Sequence, residues 1–282
     1  GSWEHAAPVP CPGAAPDGMV CVPGGAFLLG SAASPALSSP DSAVTPEHLV
    51  LVAPFFLDRG ELSVAEARAL TDAHPEIEEP ASPGAAAVDH PAWCTFAPES
   101  DGALPVNCLA QATAAALCAA RGARLPTEAE WEFAAGNRTD ETPFPWGDEV
   151  DVCNHSIVER GDVSLPSGCR ITANGTLPPG PVAGGSPADQ TELGIRDLGG
   201  SVAEWVIDSY QGYDEECWTG EEPLENPICT AAGPDAVLRG GSYGDLGTNA
   251  RAITRRGVVR TGRSSLIGVR CAKACTAAGS SG

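Results

Sequence analysis

The start of a helix is encoded in the stretch Leu125-Pro126-Thr127-Glu128-Ala129-Glu130-Trp131-Glu132. Pro126 carries no amide hydrogen, so it ends the strand that precedes it. Thr127 is a favourable N-cap residue, and Glu130, three residues later, completes a capping box. This stretch therefore predicts a helix that begins directly after Thr127.

Weaker patterns on both sides predict further elements. Ser63 and Glu66 repeat the capping-box spacing and predict a helix over residues 63–74. An Ala-rich run at 109–121 predicts another helix, which ends at Gly122. Alternating apolar residues predict a hairpin that joins 19–22 to 27–29 across a Pro-Gly-Gly turn. Strand patterns also occur at 48–56, 201–207, 237–243 and 266–271.

Long stretches without periodicity separate these elements. Residues 75–105 form a long loop, and residues 137–195 are largely turn-forming; a stretch as long as the second inside a domain indicates function or stapling by a metal. No linker divides the chain. We therefore predict one irregular, loop-rich α+β domain over residues 19–273, preceded by a Pro/Ala-rich arm (1–18) and followed by a short tail (274–282).

The charge balance excludes several classes of partner. The chain has 282 residues, with 37 acidic against 16 basic side chains and a formal net charge of −21. Binding to nucleic acid or to an anionic membrane needs clustered cations, so neither is expected. No apolar run approaches the roughly 18 residues of a membrane span, so no transmembrane segment is expected.

The eleven cysteines indicate an oxidising compartment. Their spacing fits neither a zinc site nor a redox Cys-x-x-Cys pair, so disulfides are the best interpretation. The odd number leaves one thiol free, paired between chains or reserved for chemistry. Fifteen of the 16 basic residues are Arg, which is typical of a high-GC bacterium. We expect a bacterial protein that is secreted, periplasmic or anchored at the outer surface, although this sequence shows no signal peptide.

Several motifs occur in the order found in one known family. They are Pro23-Gly24-Gly25-x-Phe27, the 125–132 stretch, Pro145-Trp146-Gly147-Asp148, Gly199-Gly200-Ser201-Val202-Ala203-Glu204-Trp205, Arg239-Gly240-Gly241-Ser242-Tyr243 and Ile267-Gly268-Val269-Arg270-Cys271. The chain resembles the formylglycine-generating enzyme / sulfatase-modifying-factor family over residues 19–273. This resemblance implies a loop-rich domain similar to the C-type lectin fold.

The resemblance also implies where catalysis would take place. Enzymes of this family bind Cu(I) through two cysteines that follow the Gly-Gly-Ser motif, because soft thiolates are the ligands that Cu(I) prefers. Here those positions are Asp245 and Ala250. An aspartate is a hard ligand and an alanine is none, so we expect no copper and predict no catalytic residue.

The resemblance pairs Cys118 with Cys271, as in some relatives. Proximity in the sequence suggests four further pairs, which are Cys11–Cys21, Cys94–Cys108, Cys153–Cys169 and Cys217–Cys229. Cys275 is then left over, either as a tail thiol or as an alternative partner.

Calcium is the cofactor that the resemblance implies, as one or two ions. The first set of ligands comprises the side chains of Asp197 and Glu204 with the carbonyl groups of Gly200 and Val202. The second comprises Asn154, the His155 carbonyl, Asn174 and the Thr176 carbonyl. Calcium prefers several oxygen ligands, which irregular loops supply. The alternative for the first set is a capped turn with two solvated acids.

A ligand groove is predicted at Ser242, Tyr243, Asp245, Arg251 and Arg255. The surrounding arginines either bind an acidic ligand or form structural ion pairs, and Ser242 alternatively serves as a turn residue. We predict a non-catalytic module that binds an unknown protein or a small acidic ligand. The alternatives are a periplasmic enzyme of different chemistry, for example in siderophore maturation, and a true formylglycine-generating oxidase.

Overall fold

The computed structural model describes residues 7–32, 44–86, 88–161, 168–172, 175–177 and 179–275. The helices in these ranges are α1 (Val64–Ala73), α2 (Gln111–Ala120), α3 (Glu128–Ala135) and α4 (Val152–His155). The strands are β1 (Met19–Val22), β2 (Gly25–Leu29), β3 (His48–Val52), β4 (Phe55–Asp58), β5 (Ile171–Thr172), β6 (Gly175–Thr176), β7 (Ala203–Ser209), β8 (Leu224–Glu225), β9 (Asp235–Arg239), β10 (Arg255–Val259), β11 (Ile267–Gly268) and β12 (Ala272–Ala274).

Small sheets, rather than one large sheet, organise the domain. The largest has the strand order β10-β9-β7-β11, with β11 parallel to β7 and the other pairs antiparallel. Two three-stranded sheets have the orders β1-β4-β12 and β2-β3-β8, and β5 pairs with β6. The prediction of a loop-rich α+β domain is confirmed. No helix among the described residues is long and apolar enough to cross a membrane.

The helix α3 lies at the centre of the core and contacts β2, β3, β7 and β9. Both halves of its capping box form: the Thr127 hydroxyl accepts from the Glu130 amide at 3.0 Å, and the Glu130 carboxylate accepts from the Thr127 amide at 2.9 Å. All eight residues of the helix are buried. Its acidic side chains must therefore find partners inside the protein.

The other two helix predictions are also confirmed. Ser63 and Glu66 form the capping box of α1. α2 ends at Ala120, and Gly122 follows Arg121 with a left-handed φ of 65°. Glycine fits this position because it has no Cβ to clash with the preceding turn.

The predicted hairpin between 19–22 and 27–29 is wrong. Both strands form, but β1 pairs with β4 and β2 pairs with β3. The run at 48–56 is likewise broken into β3 and β4. Strand pairing depends on which surfaces are buried in the whole domain, which a local alternation of apolar residues does not reveal.

All five predicted disulfides are present. They are Cys11–Cys21, Cys94–Cys108, Cys118–Cys271, Cys153–Cys169 and Cys217–Cys229. The Cys118–Cys271 bridge joins residues 153 positions apart and links α2 to the end of the chain. In the chain-entropy picture, a loop of that length gives about 4–5 kcal/mol. Cys275 is a free, partly buried thiol, and burial raises its pKa.

Candidate functional site

The acids of α3 form a closed ion-pair network with two arginines. Glu128 and Glu132 lie one helical turn apart and share a face of the helix. Arg255 binds Glu128 through two hydrogen bonds of 2.7 and 2.9 Å, and Arg239 contacts both carboxylates. All four side chains are buried. We call Glu128, Glu132, Arg239 and Arg255 the closed network, because its charges sum to zero.

Arg255 is fixed in this network and is no part of a groove. Its guanidinium lies 4.1 Å from the ring centroid of Tyr213 and 4.7 Å from that of Tyr210. Burial alone would raise the pKa of Glu128, but Arg255 and Arg239 hold that pKa below its usual value. The two arginines therefore favour the charged form of Glu128, whereas burial raises the pKa of Glu132 despite its contact with Arg239. Arg255 was predicted as a groove residue, and in the structure its side chain is fully buried and paired with Glu128.

Asp245 and Ala250 occupy the two positions where the resemblance requires copper-binding thiols. The Asp245 carboxylate accepts from the amide and hydroxyl groups of Ser242, at 2.8 and 2.7 Å. Arg256 donates two further hydrogen bonds to it, both of 2.9 Å. Ala250 is buried beside Phe144 and other apolar residues. The Asp245 carboxylate is therefore engaged by neighbouring residues, and Ala250 is packed in an apolar cluster.

The other predicted groove residues divide into two groups. Ser242 and Tyr243 are buried, which supports the interpretation of Ser242 as a turn residue. The Tyr243 hydroxyl hydrogen bonds to Ser265 at 2.8 Å, and burial raises the pKa of Tyr243 to about 12. Arg251 is partly exposed, and its guanidinium lies 5.9 Å from the centroid of the Phe144 ring. Arg251 and Asp245 are the predicted groove residues that remain accessible.

The first predicted calcium set lies on the turn that leads into β7. Asp197 begins this turn with a left-handed φ of 58°, and its Oδ1 accepts from the Ser186 amide at 2.6 Å. Glu204 lies in β7, where Arg270 binds its carboxylate at 2.8 Å and Trp131 donates to the same carboxylate at 2.7 Å. Three N–H donors, the Trp131 indole and the Nε and Nη2 groups of Arg270, bind the Glu204 carboxylate.

Two further acids surround the same turn, and the sequence did not reveal them. Glu61 accepts from the Ser201 hydroxyl at 2.9 Å and from the Val202 amide at 2.8 Å. Asp189 accepts from the Gly199 amide at 3.0 Å, while its Oδ1 is buried without a hydrogen-bond partner among the described residues. Both lie in loops with no motif of their own, and Glu61 is 140 residues away from the turn.

We call Glu61, Asp189, Asp197, Glu204 and Arg270 the acid-rich cluster. Burial and the neighbouring acids raise the pKa of Glu61 and of Asp189 well above the usual range. Burial likewise raises the pKa of Asp197 to about 6. Four carboxyl groups face one guanidinium, so the cluster needs protons or a bound cation to balance its charge.

The negative charge of the acid-rich cluster suits a hard cation. The four predicted ligands are not equally available to one. Asp197 offers a carboxylate, and Asp189 an oxygen without a partner. Glu204 is already engaged by Arg270 and Trp131, which leaves it less available to a cation than Asp197. Within the described residues, no group of three or more His, Cys, Asp or Glu side chains is arranged to hold a metal ion.

The second predicted calcium set is only partly described. Asn154 and His155 lie in α4, where the Asn154 side chain donates to Asp151 and the His155 carbonyl accepts from Ser186. Asn174 lies outside the described residues, as does the side chain of Thr176. His155 stacks on Trp146, with ring centroids 5.1 Å apart.

Comparison with known families identifies the domain. The model of the "Sulfatase-modifying factor enzyme 1-like domain" matches residues 5–275. The chain belongs to this family. The formylglycine-generating enzyme of Streptomyces coelicolor is 28% identical to it, over 95% of this chain and 93% of the relative.

Two further proteins are similar to this chain, one in sequence over part of its length and one in structure. The "Inactive C-alpha-formylglycine-generating enzyme 2" of Bos taurus is 30% identical, over 56% of this chain and 46% of the relative. The chain thus spans less than half the length of that relative. The structure of PvdO from Pseudomonas aeruginosa superposes with a TM-score of 0.66 at 22% identity, covering 90% of this chain and 93% of PvdO. It shows that the two proteins share the fold.

Proposed function

We propose that this chain is an exported, calcium-binding and non-catalytic binding domain of the sulfatase-modifying-factor family. The observation that carries the proposal is the environment of Asp245 and Ala250. Ser242 and Arg256 fix the carboxylate of Asp245, and Ala250 contributes only a buried methyl group. The resemblance expects two copper-binding thiolates at these positions.

The remaining cysteines do not replace the missing pair. Ten of the eleven form disulfides. Cys275 follows β12 and packs against the apolar cluster that contains Phe56 and Cys271, whereas Ala250 belongs to a different cluster. A single thiol in another part of the domain cannot form a two-thiolate copper site.

The curated relatives include proteins whose names state activity and proteins whose names state its absence. The relative from Streptomyces coelicolor is named a formylglycine-generating enzyme, and those from Bos taurus and Mus musculus are named inactive. The names therefore leave both options open for this chain. The residues at 245 and 250 favour the inactive option.

An exposed surface beside Asp245 suits a protein partner. Leu246 follows Asp245 directly and is 66% exposed. Val150 is 82% exposed and precedes α4, which packs against residues 247–250. Contiguous exposed apolar patches with a polar rim mark interaction sites, and we take Leu246 and Val150 to contribute to such a patch. We assign recognition of a protein to this surface, and recognition of a small acidic group to Arg251.

Export is supported by five disulfides, since such bonds persist mainly in oxidising compartments. For calcium, we assign the Asp197 carboxylate and the carbonyl groups of Gly200 and Val202, with Glu204 as the partner of Arg270 rather than a ligand. A bound cation would balance the excess charge of the acid-rich cluster. A second, weaker ion near Asn154 and His155 remains a prediction.

The test of the non-catalytic role is an assay with a peptide that contains Cys-x-Pro-x-Arg, with added copper and oxygen. We expect no formylglycine in the mass spectrum, whereas the Streptomyces coelicolor relative should convert the peptide under the same conditions. Copper-dependent conversion by this chain would overturn the proposal.

The calcium assignment is tested by thermal melts in EDTA and after addition of calcium chloride. We expect calcium to raise the melting temperature of the wild type and to have little effect on Asp197→Asn. Asp101→Asn, at an exposed site, should respond like the wild type. Equal melting temperatures of the wild type with and without calcium would contradict the assignment.

A further inference from the structure

A cavity of about 340 Å³ lies between β2, the end of α3 and the segment 251–253. Cavities of this size are typical of small-molecule sites. Its lining includes Arg138, Arg251, Glu47 and Glu141, with apolar contributions from Phe27 and Ile253. Asp245 is not among the lining residues, so the cavity is distinct from the exposed surface beside Asp245.

The backbone that brings Arg138 and Glu141 to this cavity has an unusual conformation. Asn137, Arg138 and Glu141 all have positive φ angles, of 55°, 65° and 51°. Such conformations are unfavourable in residues other than glycine and are concentrated at functional sites. The Asn137 side chain holds them in place, because it donates to Thr142 and Pro145 and accepts from the Glu192 amide.

The two arginines have donors that the protein leaves unused. The Nε atoms of Arg138 and Arg251 are both buried and have no hydrogen-bond partner among the described residues. Arg138 contacts only the exposed carboxylate of Glu192, at 3.1 Å, and Arg251 forms no ion pair in the described part of the chain. Unsatisfied buried donors are unfavourable, so an anionic partner of these two guanidinium groups would stabilise them.

Acidic groups of the same cavity are also available. Glu47 has no hydrogen bond or ion pair to any described residue, and it is partly exposed. Glu141 uses Oε1 to accept from the Leu28 amide at 3.0 Å. Glu132 also reaches the cavity, but it is engaged by the Gly30 amide and by Arg239. The available charges are therefore two guanidinium groups and two carboxylates.

We propose that this cavity binds a small zwitterion, namely a free amino acid or a short peptide. Its carboxylate would accept from Arg138 and Arg251, since guanidinium groups suit the planar geometry of a carboxylate. Its ammonium group would contact Glu47 and Glu141, and its side chain would lie against Phe27 and Ile253. This inference deepens the proposed binding role and rests on it, because Arg251 belongs to both.

Calorimetry on the full chain tests the proposal with the twenty amino acids and with glycylglycine. We expect apolar amino acids such as L-leucine to bind. Binding of glycylglycine would indicate that the cavity accepts a short peptide, and its absence would indicate a site for free amino acids. N-acetyl-L-leucine lacks the ammonium group and L-leucinamide lacks the carboxylate. Each should bind at least ten times more weakly than L-leucine.

The variants Arg251→Met and Glu47→Gln should each weaken binding at least tenfold. Arg68→Met is the matched control, because Arg68 also lies over an aromatic ring, that of Phe96 at 5.8 Å, and should not affect binding. The proposal is overturned if no amino acid or dipeptide binds, or if Arg251→Met binds like the wild type. Conversion of the sulfatase-type peptide is a separate readout, so failure of this inference and failure of the non-catalytic assignment are distinguishable.

Discussion

The closed network and the acid-rich cluster lie on two sides of the same tryptophan. Arg239 of the closed network lies 5.7 Å from the Trp131 ring, and the Trp131 indole donates to Glu204 of the acid-rich cluster. Both groups are buried, and both are built around glutamates. They differ in charge balance, with two acids against two bases in one and four acids against one base in the other.

This difference separates a structural site from a candidate binding site. In the closed network each carboxylate has a guanidinium partner; the pKa of Glu128 is lowered, while burial raises that of Glu132. In the acid-rich cluster the pKa values of Glu61 and Asp189 are raised, because one guanidinium cannot balance four carboxyl groups. The first needs nothing from outside the protein, whereas the second needs protons or a cation.

The largest expected effect is that of Arg270→Met. This variant removes the cation of the acid-rich cluster together with the hydrogen bonds to Asp58 and Arg196 carbonyls. Loss of one partner of a buried ion pair costs about 3–5 kcal/mol, and this site should lie at or above the upper end. Urea unfolding measures the change. Arg196→Met, at an exposed neighbour, is the control, and an equal loss in both variants would contradict the prediction.

Glu128→Gln should break the closed network with a smaller effect. We expect a loss of about 3 kcal/mol, because the glutamine oxygen still accepts one hydrogen bond from Arg255 while one positive charge of the two arginines is left unbalanced. The matched control is Glu192→Gln, since Glu192 pairs with Arg138 at the surface and should contribute less than about 1 kcal/mol. Similar losses for the two variants in urea unfolding would show that burial of the network does not matter.

Asp208 should make stability depend on pH near the closed network. Burial, with Glu128 nearby, raises the pKa of Asp208 to about 7. An unfolded aspartate titrates near pH 4. Between these values the folded state binds more protons than the unfolded state, so stability falls as the pH rises from about 4 to about 7.

The contribution of Asp208 is on the order of 3–4 kcal/mol across this range, since each unit of pKa difference corresponds to about 1.4 kcal/mol. Asp208→Asn should remove it and flatten the dependence of the unfolding free energy on pH, measured by urea titrations at several pH values. Asp101→Asn serves as the exposed control. If the unfolding free energy of Asp208→Asn depends on pH as steeply as that of the wild type, other groups are responsible for the titration.

The smallest effect is expected for Glu61→Gln, the same chemical change as at Glu128 but in the acid-rich cluster. It removes one negative charge from a group that has an excess of them, so in EDTA the unfolding free energy should change by less than about 1 kcal/mol. Thermal and urea unfolding of the two glutamine variants, side by side, give the comparison directly. A loss at 61 as large as that at 128 would show that the two clusters do not differ in kind.

Much of the fold could be predicted where neighbouring residues decide the structure. The capping boxes of α1 and α3 form as predicted, because both partners lie within one helical turn. Four disulfides join cysteines 10 to 16 positions apart, and the fifth, Cys118–Cys271, required the family resemblance. The hairpin prediction failed because β1 and β2 pair with strands that a local pattern does not identify.

The candidate sites were less accessible to prediction. Asp197 and Glu204 were identified from their motif, but only the structure shows that Arg270 and Trp131 bind the Glu204 carboxylate. Glu61 and Asp189 carry no local signal, and the positive φ angles of Arg138 and Glu141 contradict the usual preferences of those residues.

The sequence by itself determined the family, the helix starts, the number of cysteines and the presence of Asp245 and Ala250 where the resemblance expects two thiols. These depend on residue identity and on neighbours close in the chain. The tertiary structure decided which charges are balanced. Ion pairing inside a protein depends on distance and on removal of water, and residues far apart in the sequence, such as Glu61 and Ser201, meet only when the chain folds.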